Sequence, residues 1–401
     1  MRFVYTCGIR LYAIFIHVAS IFNAKAKKWV EGRRVLWDNL PFIDHSEKLF
    51  WFHCASLGEF DMALPIMSEI KKHLPDSRIL VTLFSPSGMD HYHKRTHQAD
   101  FVSYLPIDTP SNARRFINYY KPDTVFFVKY EFWTNYILEA KKQGVKVYSV
   151  CTLFRESHRF FKWYGGFFRR TLNAIDFFYL QNQQSAELLA KIELNNSIVV
   201  GDTRFDRVWA NSKKAKSNQA IEIFLEDKKA WVFGSTWPAD EALLHSLLDS
   251  YPEQKMIFAP HDIAESHIVG IEALCKGRSC RVSHPDPSKQ VLILNTIGHL
   301  TDAYAYGELA YVGGGFSGKL HNILEPSVFG LPVIFGPKFD RFPEASAFME
   351  VGIGFAVKDE SDLQRVTGEV LGKLESIRLL AIKNVKLNSG AAERIYQNLA
   401  V

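Results

Sequence analysis

The sequence predicts an α/β protein of two domains with parallel sheets, preceded by an apolar helix. Three observations carry this reading. The chain has 401 residues, more than one hydrophobic core usually supports, which predicts two domains of roughly 200 residues each. From Leu49 onward, short apolar runs alternate with helix-like stretches, as in parallel α/β sheets. Residues 3–22, FVYTCGIRLYAIFIHVASIF, carry only Arg10 and His17 as strongly polar ionisable groups.

That first segment, assigned to residues 1–24, is close to a membrane-spanning length of about 20 residues, but an arginine near its middle costs roughly 2.5–3.5 kcal/mol on insertion. A full span and an interfacial helix therefore both remain open. Lys25, Lys27, Lys28, Arg33 and Arg34 follow against the single acid Glu31, and no small-residue cleavage site precedes them. The segment is expected to stay on the protein, with the main body on the cytoplasmic side.

The first domain, residues 25–209, reads in order as a strand at LFWFHCA, a helix from about Glu59 to His73, a strand at RILVTLF and a helix around Asp90 to His97. It continues with FVSYLP, a helix near Ser111 to Tyr120, TVFFVKY, a helix near Trp133 to Gln143, KVYSVCT, a basic-aromatic helical stretch to about Ala174, and IDFFYLQ. The polar, aperiodic stretch Ala210 to Asn218 reads as a linker. The second domain, residues 219–401, repeats the pattern: AWVFGST, a helix from Asp240, KMIFAP, a helix from Glu265, VLILN, ELAYVGG, a helix from about Asn322, LPVIFG, a helix near Glu344 to Glu350, and GFAV. Two such Rossmann-like halves joined by a linker predict the GT-B architecture, with an interdomain cleft at the carboxyl ends of the strands.

Composition narrows the function classes. A hydrophobic fraction of 47% with 23% charged residues describes an ordered globular chain. A formal charge of +5 suits an anionic membrane surface or phosphorylated ligands and falls short of a nucleic-acid signature. Five scattered cysteines indicate neither a disulfide framework nor a zinc site, so a reducing cytosolic compartment is the simplest reading.

Several strand ends carry residues suited to chemistry. In HCASLGEF (His53 to Phe60), Glu59 follows a small-residue turn, where a carboxylate reaches a substrate hydroxyl as a base or merely favours the helix dipole. VTLFSPSG (Val81 to Gly88) offers hydroxyls to a phosphate or sugar, or forms an ordinary turn and cap. FVKYEFW (Phe127 to Trp133) puts Lys129 and Glu131 on one side of a strand end, as an acceptor-positioning pair or a solvated rim salt bridge.

The most informative run is YVGGGFSGKLHNILEP (Tyr311 to Pro326), a strand leading through a glycine-rich loop to a helix. Gly315 and Ser317 lie in the loop, the helix start offers a partial positive end, and Lys319 or His321 adds charge. Glu325 is placed to accept hydrogen bonds from a ribose diol. The loop has neither Walker nor GxGxxG spacing, which disfavours a P-loop ATPase and a dinucleotide dehydrogenase; packing alone is the alternative. GSTW (Gly234 to Trp237), APH (Ala259 to His261) and IGHL (Ile297 to Leu300) fit a nucleotide lobe more weakly.

In order, HCASLGE, VTLFSPSG, YLPIDTP, EFW, GDTRFD, GST and VGGGFSGKLHNILEP resemble the lipid A 3-deoxy-D-manno-octulosonic acid (Kdo) transferase family across nearly the whole chain. The resemblance implies a GT-B fold with the acceptor lobe first, CMP-Kdo as donor substrate, a lipid A precursor as acceptor, inversion at the anomeric carbon, and no cofactor or metal. It also implies an enzyme at the cytoplasmic leaflet of the inner membrane, acting in lipopolysaccharide assembly, with no nucleic-acid partner. Glu59 matches the family's general base. Arg204, in GDTRFD, stands where a lysine usually stabilises the transition state. Asn322, Ile323, Leu324 and Glu325 match the CMP-binding segment. Pro260 and His261 fall where a Pro-Arg pair is common, and Ile297, Gly298 and His299 where Met-Gly-Glu is common. Lys129 replaces the first glutamate of the family's ETELW, leaving Glu131 to carry over. The rival expectations are a GT-B transferase using another nucleotide sugar and a catalytically silent membrane-bound binder.

Overall fold

The computed structural model describes residues 1–399. The chain divides into one unit of Met1–Arg207 joined by the chain end from Ser389, and a second of Val208–Asn388.

The first unit is built on seven strands: β1 (Leu49–Cys54), β2 (Arg78–Leu83), β3 (Phe101–Tyr104), β4 (Thr124–Val128), β5 (Lys146–Thr152), β6 (Phe177–Leu180) and β7 (Ser197–Val199). They form one parallel sheet in the order β3-β2-β1-β4-β5-β6-β7. All positions of β1 and β4 are buried because helices cover both faces, which is why these strands read as unbroken apolar runs. The strand order reverses between β1 and β4, and the loops leaving these two strands diverge there. In open α/β sheets that is where ligands bind.

The second unit repeats the design with β8 (Ala230–Thr236), β9 (Lys255–Pro260), β10 (Ser279–Arg281), β11 (Val291–Ile293), β12 (Gly307–Val312), β13 (Val333–Phe335) and β14 (Gly354–Ala356). Its parallel order is β10-β11-β9-β8-β12-β13-β14, so the reversal lies between β8 and β12.

Three differences from the sequence reading have physical reasons. The helix expected around Asp90 begins at Pro86, because Ser85 accepts the Gly88 amide and caps it. The basic-aromatic stretch before Ala174 is mostly turns, with only Gly166–Leu172 as α-helix. A Cβ on Gly165 would lie 2.3 Å from the Arg159 carbonyl, so the chain folds back on itself there. The last helix, Ala391–Asn398, packs with the first unit, although residues 219–401 read as one domain. Asp206 accepts the backbone N–H groups of Gly390 and Ala392, and Tyr396 stacks on His73 with ring centroids 4.4 Å apart.

At the amino terminus, the helix Arg2–Ala19 meets a second, Ala24–Arg34, at 120°. Among the described residues no single helix is long and apolar enough to cross a membrane, although the bent pair passes by length and composition together. The first helix is tied to the unit by polar contacts: Tyr5 donates to Asp108 at 2.6 Å and Arg2 to Asn135 at 2.8 Å. Its outer face exposes Phe3, Val4, Leu11, Ile14, Phe15 and Val18.

Candidate active site

The two loops that part at the β1/β4 reversal carry Glu59 and Glu131. After β1, Ser56 caps the helix Leu57–His73 in a reciprocal box: the Glu59 amide donates to Ser56 Oγ at 3.4 Å, and the Ser56 amide to Glu59 Oε2 at 2.9 Å. The helix-start role weighed for Glu59 is therefore real, and it holds the carboxylate in a fixed, 7% exposed position. After β4, Lys129 takes a left-handed backbone (φ 62°) and its amide donates to Val150 at 2.8 Å. That turn, unusual for a non-glycine residue, redirects the chain so that Tyr130 and Glu131 leave the strand line.

Electrostatics join the three residues. Burial pushes the Glu131 carboxyl up to about 7, with the Glu59 charge adding to the effect. Burial also raises Glu59, opposed chiefly by the Lys129 ammonium. Each carboxyl charge disfavours ionisation of the other, and the Lys129 ammonium offsets part of that repulsion. A simple rim salt bridge does not describe them.

Behind this cluster runs a hydrogen-bond chain that sequence reading missed. Trp133 Nε1–H donates to His53 Nε2 at 2.8 Å, which places the imidazole proton on Nδ1, donating to Thr82 Oγ1 at 2.9 Å. Trp51 Nε1–H donates to the same hydroxyl at 2.8 Å. His53 is fully buried and pushed down to about 3 by burial, so it is neutral. The chain spans β1, β2 and the Glu131 turn, and Glu131 itself feels the Trp133 N–H.

Arg204 is engaged close to home: its Nε donates to Asp202 Oδ2 at 2.8 Å and its Nη2 lies 2.6 Å from the same oxygen. The neighbouring Thr203 hydroxyl donates to the Met62 carbonyl at 2.7 Å, which fixes the GDTRFD turn on the helix that Glu59 begins. Ser85 of SPSG caps the helix that begins at Pro86 by accepting the Gly88 amide at 3.0 Å.

In the second unit, Asp240 organises the β8/β12 reversal. It is 1% exposed, accepts Tyr311 Oη–H at 2.7 Å, the Gly314 amide at 3.1 Å and the Trp237 amide at 3.0 Å, and so pins the turn after β8 to the glycine loop after β12. Within the loop, the Lys319 and Ser317 amides and the Ser317 hydroxyl all donate to the Gly314 carbonyl. Gly315 is required by close approach, since a Cβ there would lie 2.5 Å from the Gly336 nitrogen. The helix that follows, Leu324–Val328, has five residues. Its dipole is too short to supply the positive end that the sequence reading expected, and exposed Lys319 is the cationic side chain of the loop. Asn322 sits outside it, accepting the Leu324 amide and donating to Glu325 Oε1 at 3.1 Å, while Ile323 is buried.

His261, next to Pro260 at the end of β9, stacks on Trp237 (centroids 4.5 Å apart) and against His321 (4.5 Å). Trp237 Nε1–H donates to His321 Nε2 at 3.2 Å, and burial holds His321 down at about 4, with His261 adding to the effect. These residues thus meet at the glycine loop. Ile297, Gly298 and His299 form an exposed turn into the helix Leu300–Ala305, where His299 pairs with Asn218 and Asp302 instead of joining the stack. A cavity of about 460 Å³ opens beside Trp237, lined also by Asp262 and by Glu241, which accepts Thr236 Oγ1–H and His267 Nε2–H at 2.8 Å each. Asp240 and Glu241 were visible in the sequence only as acids opening a helix after a strand.

Comparison with known proteins bears on this architecture. Residues 30–207 match the family described as 3-Deoxy-D-manno-octulosonic-acid transferase (kdotransferase). The chain is 27% identical to a 3-deoxy-D-manno-octulosonic acid transferase of Aquifex aeolicus, over 82% of this chain and 88% of that protein. It is 26% identical to one from Haemophilus influenzae, over 98% and 97% of the two chains. Among solved structures, UDP-GlcNAc 2-epimerase from Neisseria meningitidis superposes with a TM-score of 0.64 at 17% identity, covering 88% of this chain and 99% of that one. MurG of Acinetobacter baumannii gives 0.56 at 11% identity, covering 88% and 98%. At these identities the likeness speaks for the fold alone, and with the two seven-stranded sheets it gives the GT-B fold. The family match spans the whole first sheet with Glu59, Glu131 and Arg204, and the relatives align through both units, so the chain is similar to the 3-deoxy-D-manno-octulosonic acid transferases along nearly its whole length.

Proposed function

We propose that this protein is an inverting glycosyltransferase that moves Kdo from CMP-Kdo to a lipid A precursor, lipid IVA, in lipopolysaccharide inner-core assembly. The observation that carries the reading is the buried Glu59–Glu131 pair beside Lys129 at the β1/β4 reversal of a chain similar to the 3-deoxy-D-manno-octulosonic acid transferases. A base there removes the proton of the acceptor hydroxyl as its oxygen attacks the anomeric carbon, and the bond from that carbon to the CMP phosphate oxygen breaks with its electron pair leaving on CMP. Glu59 takes the proton in this scheme, Glu131 and Lys129 hold the acceptor and set the charge around it, and Arg204 steadies developing negative charge.

CMP-Kdo is the donor substrate, and the scheme assigns no cofactor or metal. Gly315, Ser317 and Lys319 face its phosphate, Pro260 and His261 and the segment from Asn322 to Glu325 hold its nucleoside, and Ile297, Gly298 and His299 border it. The apolar face of the N-terminal helix holds the enzyme at the cytoplasmic leaflet of the inner membrane, where a lipid acceptor resides.

The test is transfer from CMP-Kdo to lipid IVA, with products resolved by mass. Product from the wild type and none from Glu59→Gln supports both reaction and base; no product from folded wild type, or competition by UDP and not CMP, overturns it.

A further inference from the structure

We infer that the loop from Arg155 to Gly165 is a second membrane contact, whose tip residues Trp163 and Tyr164 enter the headgroup layer of an anionic bilayer and orient the Glu59–Glu131 site toward a lipid acceptor. The inference rests on the membrane reading above and extends it from one apolar helix to a two-point surface.

Trp163 is 92% exposed and Tyr164 54%, their rings edge-on to each other at 5.6 Å. Trp and Tyr are the side chains that favour the membrane–water boundary, where the ring is in an apolar layer and its polar end stays hydrated. This loop is not loosely held. Arg169 donates to the carbonyls of Phe160 at 3.0 Å and Lys162 at 2.9 Å, the Gly165 amide donates to the Lys162 carbonyl at 2.9 Å, and Gly165 leaves no room for a Cβ. The fold thus fixes a knuckle that displays two aromatic rings, so inserting them forfeits little conformational entropy.

Charge selects the partner. Arg155, Arg159, Lys162, Arg169 and Arg170 stand against the single acid Glu156, itself paired with Lys191 at 3.4 Å. A basic collar around apolar rings matches anionic headgroups over a neutral or acidic protein face. Continuity supplies the rest. Phe167, just after the knuckle, packs on Tyr5 of the N-terminal helix at 5.8 Å, so the loop is braced against the inner side of the helix whose outer face is apolar. At the loop's base His158 meets Tyr130 edge-on at 5.4 Å, and the Arg159 charge bears on Glu131, so the knuckle is mechanically joined to the turn that carries the candidate acceptor residues.

The experiment uses the full chain with vesicles of phosphatidylethanolamine and phosphatidylglycerol, against vesicles of phosphatidylethanolamine and phosphatidylcholine. Trp163→Ser/Tyr164→Ser is expected to weaken partition into the anionic vesicles about 10-fold and to slow transfer to embedded lipid IVA, while transfer to a short-chain, water-soluble acceptor stays at the wild-type rate. Bromolipid quenching of the wild type should fall in Trp163→Phe by the Trp163 share. If partition and quenching are unchanged in both variants while Phe15→Asp on the N-terminal helix detaches the protein, the loop is no membrane contact, and the helix reading stands alone. If the wild type binds neither vesicle, the membrane reading fails and this inference falls with it.

Discussion

At the residue scale, Glu59 holds two jobs that a substitution can separate. Glutamine at the third helical position still completes a capping box, whereas alanine does not. Glu59→Gln should therefore keep the stability of the wild type within about 0.5 kcal/mol and lose at least about 100-fold in kcat, while Glu59→Ala also loses about 1 kcal/mol of stability. Denaturant titration beside a transfer assay checks both, and a Gln variant as active as wild type would remove Glu59 from the chemistry. Glu131 tests the other half of the pair through pH. Its folded-state carboxyl sits near 7, above the ordinary 4.5, so the native protein binds more protons than the unfolded chain between those values, and stability is lost as pH rises through that window. Glu131→Gln lacks this loss. After allowance for solvent screening, it should be more stable than wild type by about 1–2 kcal/mol at pH 8 and indistinguishable near pH 4.5. Lys129 acts in the opposite sense: with its ammonium removed, Lys129→Met should move the acidic limb of kcat/KM to higher pH, since the charged pair loses its stabilising neighbour.

At the element scale, the strands were legible because parallel sheets bury both faces, so LFWFHC and TVFFV are apolar without a break. β7 and β10 were not, being three-residue strands of partly exposed positions with too little apolar surface to mark them. The candidate site was legible only as far as it lies along one strand end. Glu59, Lys129 and Glu131 each announce themselves as charges after an apolar run, but the bond from Trp133 to His53 joins residues 80 positions apart and depends on which strands become neighbours. Asp240 is similar: as a helix-start acid it is ordinary, and only the pairing of β8 with β12 reveals it as the clamp on the glycine loop. The Trp133 link carries a prediction at this scale. Trp133→Phe keeps the ring that stacks on Phe84 at 4.9 Å but leaves His53 Nε2 buried without its donor, a loss of about 1–3 kcal/mol. Because the link holds the Glu131 turn of the first unit, kcat should fall while KM for CMP-Kdo stays at the wild-type value; a change confined to that KM would contradict it.

At the scale of the whole molecule, the chain leaves the first unit at Arg207 and returns to it at Ser389, so the last helix contributes to a core laid down by the first half of the sequence. Ala392 and Ile395 are buried in the cluster that contains Phe60, Ile66 and Ile70 of the helix Leu57–His73. That helix is capped by Ser56 and carries Glu59 in its first turn, so the closing segment of the chain braces the element that holds the candidate base. Asp206 is the joint: it receives the Gly390 and Ala392 amides where the helix Ala391–Asn398 has no side-chain cap of its own, and Arg394 donates to the Val200 carbonyl at 2.7 Å beside it. Asp206→Ala removes both acceptors and should cost about 1–2 kcal/mol. The loss should be local. Hydrogen exchange is expected to accelerate in the helix Ala391–Asn398 and in the covered part of Leu57–His73, with the strands of the second unit unchanged, because no residue of that unit receives these bonds. Uniform acceleration over both units would mean that the returning helix stabilises the molecule as a single cooperative block; confinement to the first unit would mean that the end of the chain serves that unit alone.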